Sequence, residues 1–268
     1  GDTATVTEDV AYIGWTANSD WGYSDVDTGD TLATVLIWTC PATGTLTIGG
    51  AACSAESSEA TLANLNTISY TTAADADTGT PTFTYKLGDG DGYSAAGTMT
   101  ITITAVNDVP ANAGDTATVT EEAAYTSWTA NSDWGYSDVD TGDTLATVKI
   151  IACPATGTMT IGGAACSNGV SEATLANLNT ISYTGAADAD SGTVTFTYQL
   201  KDDGGYSATG TMTMSFTGVN DAPANAGDTA TVTEATTSDD WDAATAWGWS
   251  AVDDGDLLTS VTIWTCPA

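Results

Sequence analysis

The chain repeats itself at a shift of 113 residues. Val106-Asn107-Asp108-Val109-Pro110, with the run from Ala111 to Glu121 behind it, returns as Val219-Asn220-Asp221-Ala222-Pro223 and the run from Ala224 to Glu234. Counted backwards, the same shift carries Gly114 onto Gly1, and Gly1 to Glu8 repeats Gly114 to Glu121. A period this long restricts the fold to an array of domain-sized beads, because each unit has enough chain to bury a core of its own. The expected domains are residues 1-113 and 114-226, two whole repeats, and 227-268, the N-terminal part of a third.

Within a repeat the pattern is β. Thr3-Ala4-Thr5-Val6-Thr7 alternates apolar and polar residues and predicts an opening strand, which Val10 to Trp15 continues after a kink. Ser19 to Asp30 is too rich in Asp and Gly for a strand interior and predicts a loop with aromatics pinned inside it. Leu32 to Cys40 predicts a strong strand, turned by Pro41-Ala42-Thr43-Gly44 into an antiparallel return over Thr45 to Ile48. Ser58 to Leu65 carries an N-cap candidate and leucines three apart, which predicts one or two helical turns. Thr82 to Leu87 and Gly97 to Val106 predict a closing hairpin with Phe83, Tyr85, Leu87, Met99, Ile101 and Ile103 facing inward. About seven short strands in ~100 residues predict tandem immunoglobulin-like Greek-key β-sandwiches.

Three lysines, no arginine, no histidine and a formal net charge of -32 set limits on partners. Such a chain repels nucleic acid and anionic membrane surfaces, both of which require clustered Lys or Arg. An acidic surplus serves solubility, or it gathers carboxylates around hard cations. No run approaches the ~20 apolar residues of a membrane span, so no membrane insertion is expected in this segment. No charged-then-apolar leader is present, and an export signal is expected outside it. Cys40 and Cys53 are 13 apart, as are Cys153 and Cys166, while Cys266 takes the first position of a third pair. Each pair is either a disulfide, which implies an oxidising extracellular setting, or two small buried thiols.

A series of motifs in fixed order then becomes specific. Pro41-x-x-Gly44-x-Leu46 sits within Leu32 to Ile48. Leu62-x-x-Leu65-x-x-Ile68-x-Tyr70 follows, then Gly79 before Phe83-x-Tyr85 and Asp89-Gly90, and Thr98 to Val106 closes on Val-Asn-Asp-x-Pro. Through both whole repeats and into the third, this series resembles the bacterial cadherin-like or VCBS-type repeat of large secreted adhesins, biofilm proteins and surface fibres. The resemblance implies secretion or display at the cell surface, calcium-dependent rigidity and a structural role in adhesion, with neighbouring repeats or copies of the chain as partners.

It also implies a ligand set. At the first joint it names Glu8 from the first repeat, Asn107 and Asp108 from the linker, and Asp138 and Asp140 from the second repeat. At the second it names Glu121, Asn220, Asp221 and Asp253. Ca²⁺ takes six to eight oxygens, several from carboxylates, and these residue types supply them. The chain departs from the family pattern at Ala105 and Gly218, where an acidic residue is expected, at Ala251, and in having no Asp-Arg-Glu motif. The bland alternative is that Asn107-Asp108 and the Asp89, Asp91, Asp202 and Asp203 turns bond their own backbone.

Other chemistries are less well served. Without histidine the commonest acid-base side chain is missing, and carboxylates copied once per repeat read as structural, so no enzyme activity is expected. The recurring aromatics Trp15, Trp21 and Tyr23, then Trp128, Trp134 and Tyr136, then Trp241, Trp247 and Trp249, either stack on surface glycans or pack inside the beads. Lys86, Lys149 and Lys201 each lack a lysine counterpart in the neighbouring repeat, which argues against a lysine cross-link built into every bead. An apolar strand ending at Thr265-Cys266-Pro267-Ala268 leaves two further expectations, continuation of the chain or completion by strands of a neighbouring copy in a filament that needs no calcium.

Overall fold

The computed structural model describes residues 1–16, 20–129, 133–187, 189, 191–234, 237, 247–251, 253 and 255–265. They form two compact units, Gly1–Asp108 with Asp138–Asp143, and Val109–Ser137 with Thr144–Ala268. The fold is all-β and immunoglobulin-like.

The first unit contains β1 (Asp2–Thr7), β2 (Thr34–Thr39), β3 (Thr45–Ile48), β4 (Ala51–Ala52), β5 (Ser58–Thr61), β6 (Ile68–Thr71), β7 (Thr82–Gly88) and β8 (Gly97–Thr104). One sheet runs β1-β8-β7-β2-β5 and the other β4-β3-β6, with Tyr12 bridged to Tyr70 at the free edge of β6. Alternation decides which side chains enter. Ala4 and Val6 point inward between exposed threonines, and Phe83, Tyr85, Met99 and Ile101 are buried opposite Leu46, Ile68 and Tyr70 of the second sheet. Leu87 and Ile103 are half-buried at the rim of this core. β1 lies parallel to β8 while the other pairs are antiparallel.

Trp15 and Trp21 belong to the core. Their rings stack with centroids 5.1 Å apart, Trp21 meets Tyr85 edge-on at 4.9 Å, and both indoles are almost wholly buried. The Tyr85 hydroxyl donates to the Trp21 carbonyl over 2.9 Å, which pins the Asp-rich loop to the sheet. Trp128, Trp134 and Tyr198 repeat the arrangement, with a 2.7 Å bond from the Tyr198 hydroxyl to the Trp134 carbonyl. Packing, the second of the two readings of these aromatics, is the one the structure adopts for Trp15, Trp21, Trp128 and Trp134; Trp241 lies outside the described residues.

Two local expectations are corrected. β2 and β3 do not form a hairpin: β2 pairs with β5 and β7, whereas β3 pairs with β4 and β6 in the other sheet. Pro41 to Gly44 is a corner between sheets, where Gly44 holds φ at +73° and leaves room for the Tyr70 ring. The helical turns begin later than the N-cap candidate suggests, as a 3-10 segment at Leu62–Thr67, because Ser58–Thr61 is drawn into pairing with β2.

Cys40 follows β2 in one sheet and Cys53 follows β4 in the other, and their disulfide therefore fastens the two layers together. Cys153 and Cys166 do the same in the second unit. Cys266 lies outside the described residues.

The second unit begins with β9 (Ala111–Asn112), β10 (Asp115–Thr120), β11 (Ala124–Tyr125), β12 (Tyr136–Ser137) and β13 (Thr147–Ala152). It continues with β14 (Thr158–Ile161), β15 (Ala164–Ala165), β16 (Glu172–Thr174), β17 (Ile181–Thr184), β18 (Thr193–Lys201) and β19 (Gly210–Thr217). Sheets β10-β19-β18-β13-β16 and β11-β17-β14-β15 reproduce the first sandwich, and β9 pairs with β12 as a short added ribbon. β20 (Ala224–Asn225) and β21 (Trp249–Ser250) form the same ribbon one period later.

Candidate metal centre

Glu8 continues the parity of Ala4 and Val6, so its side chain is sent to the buried side of β1 and is wholly covered. Its amide donates to the Thr104 carbonyl at 3.0 Å, the last rung beside β8. Asp9 then takes φ of +59°, a left-handed turn that leads the chain away and leaves the carboxylate beneath the linker. Glu121 has the same surroundings: its amide bonds Thr217 O at 3.1 Å, it is 1% exposed, and Glu122 has φ of +57°.

Asp77 and Asp140 join Glu8, with one carboxylate oxygen of each lying within 4.8 Å of the others. Each of the three accepts a backbone amide. Val106 N–H donates to Glu8 Oε2 over 3.2 Å, Thr141 N–H to Asp77 Oδ2 over 2.6 Å, and Asp108 N–H to Asp140 Oδ2 over 2.6 Å. Glu8 Oε1 and Asp77 Oδ1 are buried without a hydrogen-bond partner. An unpaired buried carboxylate oxygen is costly unless a proton or a cation meets it.

The three lysines are engaged elsewhere. Lys149 pairs with Glu172 at 3.4 Å, Lys86 lies 3.5 Å from the Trp38 ring centroid, and Lys201 lies 5.3 Å from that of Tyr206.

The surroundings move the acids in opposite directions. The Thr141 amide holds Asp77 below the ordinary carboxylate range. Lost hydration and the charges of Asp9, Asp75, Glu8 and Asp138 push Asp108 up. At Asp140 the Asp108 amide pulls downward, but lost hydration and the Asp77 carboxylate outweigh it. Beside these acids lies a cleft of about 370 Å³ whose lining includes Asp77, Asn107, Asp140, Thr141 and Asp143.

Of the residues named from sequence at the first joint, Glu8 and Asp140 are therefore brought together. Asn107 lines the adjoining cleft, with its Nδ2 donating to the Asp108 carbonyl over 2.5 Å. Asp108 contributes its amide to Asp140, and Asp138 Oδ1 accepts the Asp140 amide at 3.0 Å.

Asp77 joins them without a family motif to announce it; its sequence signal is the Asp75-Ala76-Asp77 triplet, which recurs as Asp188-Ala189-Asp190. Asp188 and Asp190 lie outside the described residues.

In the second unit Glu121 and Asp253, the counterparts of Glu8 and Asp140, are grouped with Asp221, the counterpart of Asp108. Glu121 Oε1 accepts Val219 N–H at 2.5 Å, Glu121 Oε2 is buried without a partner, and Asp253 Oδ2 accepts Asp221 N–H at 2.5 Å. Asn220 Nδ2 donates to the Asp221 carbonyl over 3.0 Å. The hairpin acid Asp89 behaves differently, its Oδ1 accepting the Asp91 amide at 2.9 Å, which is turn chemistry, while Asp202 Oδ1 accepts the amides of Gly204 and Gly205 at 2.8 and 3.0 Å.

The donor set is all oxygen, anionic and partly unsatisfied, which fits a hard divalent cation such as Ca²⁺. No helix of the described residues is long and apolar enough to cross a membrane.

No curated protein matches the chain in sequence. Among solved structures it is similar to human mucin-like protocadherin EC1-2, with 13% identity and TM-score 0.39 over 81% of this chain and 96% of that one. It is also similar to mouse cadherin-23 EC22-24, with 16% identity and TM-score 0.45 over 85% of this chain and 67% of that one. Protocadherin gamma B7 extracellular cadherin domains 1-4 match with 13% identity and TM-score 0.46, over 88% of this chain and 55% of that one. Residues 107–215 match the bacterial Ig domain family, and the shift of 113 residues that maps this stretch onto the first repeat makes the chain a tandem of Ig-like β-sandwiches.

Proposed function

We propose that the chain is a structural repeat array of an extracellular adhesin or surface fibre, stiffened by Ca²⁺ bound at its linkers. The observation that carries this reading is the buried Glu8 carboxylate, with Oε1 lacking any donor and with oxygens of Asp77 and Asp140 within 4.8 Å. Glu8, Asp77 and Asp140, residues far apart in sequence, would hold a divalent ion there, which would supply the positive charge that no lysine provides. A second three-carboxylate group, Glu121, Asp221 and Asp253, shares the Glu8 and Asp140 positions one period later and supports one such site per linker. The two disulfides suit an oxidising, extracellular setting. Under this reading the work is mechanical and involves no catalysis, with the repeats setting reach and the linker ions setting stiffness.

Calorimetry with Ca²⁺, paired with thermal melting in Ca²⁺ and in chelator, tests the proposal. Saturable heat at micromolar to millimolar ion and a lower midpoint in chelator are expected. No heat and an unmoved midpoint overturn it. Scattering under the same two conditions reports stiffness, and rods that go limp in chelator are the expected result.

A further inference from the structure

Asn168-Gly169 is the one place in the chain where glycine follows asparagine. At such a step no side chain shields the backbone nitrogen from the amide carbon ahead of it, and the conformational freedom of glycine lets the two meet. In the first repeat the same positions are Ala55 and Glu56, which carry no side-chain amide.

Both repeats build the same turn there. Ser171 N–H donates to the Ser167 carbonyl at 3.1 Å and Ser167 N–H to Ser171 Oγ at 2.8 Å, just as Ser58 and Ser54 do at 3.0 and 2.8 Å. Gly169 holds φ at +69° where Glu56 holds +61°, and nothing lies within 4 Å of where a Gly169 side chain would begin. Asn168 and Gly169 are exposed, so water reaches the step.

Both reacting groups are nevertheless engaged. Gly169 N–H donates to the Ile150 carbonyl at 3.0 Å, and Asn168 Oδ1 accepts Cys153 N–H at 2.8 Å. The Cys153–Cys166 disulfide fixes both sides of this arrangement, because Cys153 carries the donor and Cys166 stands two residues before Asn168. The first repeat has the disulfide and the turn without the reactive pair.

We propose that Asn168 is a deamidation site, which the oxidised fold keeps closed and which opening of the Cys153–Cys166 corner releases. A thiol reductant opens that corner by exchange, leaving two cysteine thiols and its own disulfide. The freed Gly169 nitrogen gives up its proton and attacks Asn168 Cγ. The new N–Cγ bond forms, the Cγ–Nδ2 bond breaks, and ammonia leaves behind a cyclic imide. Water then adds to one imide carbonyl and breaks that carbonyl's bond to the Gly169 nitrogen. Opening at Cγ gives aspartate, and opening at the main-chain carbonyl gives isoaspartate. One water is consumed and one ammonia released, with no change of oxidation state in this step. The isoaspartate form lengthens the backbone by one carbon, which displaces Gly169 N–H from the Ile150 carbonyl. A second unit that has opened is thereby marked, and the mark outlasts reoxidation.

The 268-residue chain, aged at mildly alkaline pH with and without excess thiol and followed by peptide mass mapping with isoaspartate detection, tests the proposal. Asn168 should convert roughly tenfold or more faster in the reduced chain, while tryptophan emission reports a core that is still folded. The other asparagines should lag behind it. Gly169→Glu restores the residue that the first repeat carries in this conformation, and it should slow the reduced chain's reaction to the rate of those other asparagines. Equal rates in the oxidised and reduced chains overturn the proposal. Conversion that rises only as the tryptophan signal is lost would assign the protection to the whole sandwich and overturn the role of the disulfide. An unchanged rate in Gly169→Glu would overturn attack by the Gly169 nitrogen.

Discussion

The backbone amide of Val106 donates to the Glu8 carboxylate over 3.2 Å, although the two residues are 98 apart in the chain. Val219 and Glu121 make the same contact in the second unit. One oxygen of each glutamate is thereby held and the other is buried without a hydrogen-bond partner. Glu8→Gln keeps an acceptor for Val106 but removes a charge, so it should weaken Ca²⁺ binding at that site roughly tenfold or more while the fold persists without calcium. Calorimetric stoichiometry should fall by one site, and the double variant with Glu121→Gln should lose both.

Asp77 gives an independent check because its triplet is not part of the linker. Asp77→Asn should reduce Ca²⁺ affinity at the first site only, leaving the Glu121 site intact. Asp89→Asn, in a turn that bonds its own backbone, should leave calorimetric affinity unchanged. Equal losses from the two variants would show that general charge reduction, not the Glu8 group, governs binding.

The disulfides join sheet to sheet, so their loss should loosen each sandwich. Each closes a loop of sequence separation 13, which the chain-entropy model values at about 3 kcal/mol. Replacing Cys40 and Cys53 together by serine should lower the calorimetric midpoint of the first unit by roughly 10 °C or more. The second unit should melt as before.

Tyr85 and Tyr198 set an alkaline limit. Burial, with the nearby Asp2 and Asp115 charges, raises both above the ordinary value of 10.0. The unfolded chain ionises these hydroxyls first, so their contribution is complete below pH 10.0 and is lost as pH rises above it. Absorbance at the tyrosinate band should show them titrating only as the fold melts. Tyr198→Phe should cost about 1–3 kcal/mol at neutral pH by leaving the Trp134 carbonyl unpaired.

Trp15 and Trp21 stack inside the sandwich, so soluble glycans should leave the emission of these two indoles unchanged. Trp21→Ala should cost about 3–5 kcal/mol, measured by denaturant unfolding. Glycan quenching at that indole would require the core to open.

Much of this protein was legible in its residues. The repeat announced a tandem of Ig-like sandwiches, alternation in Thr82–Leu87 and Gly97–Thr104 assigned the inward faces, and cysteine spacing named the pairs. Parity along β1 even sends Glu8 the way of Ala4 and Val6. Tertiary structure decided what periodicity cannot encode. Whether β2 and β3 form a hairpin or a corner depends on which sheet captures each strand, and Asp77 reaches Glu8 only through folding. A strand's backbone groups need a partner outside the segment, and where that partner lies is a property of the folded chain, not of the segment.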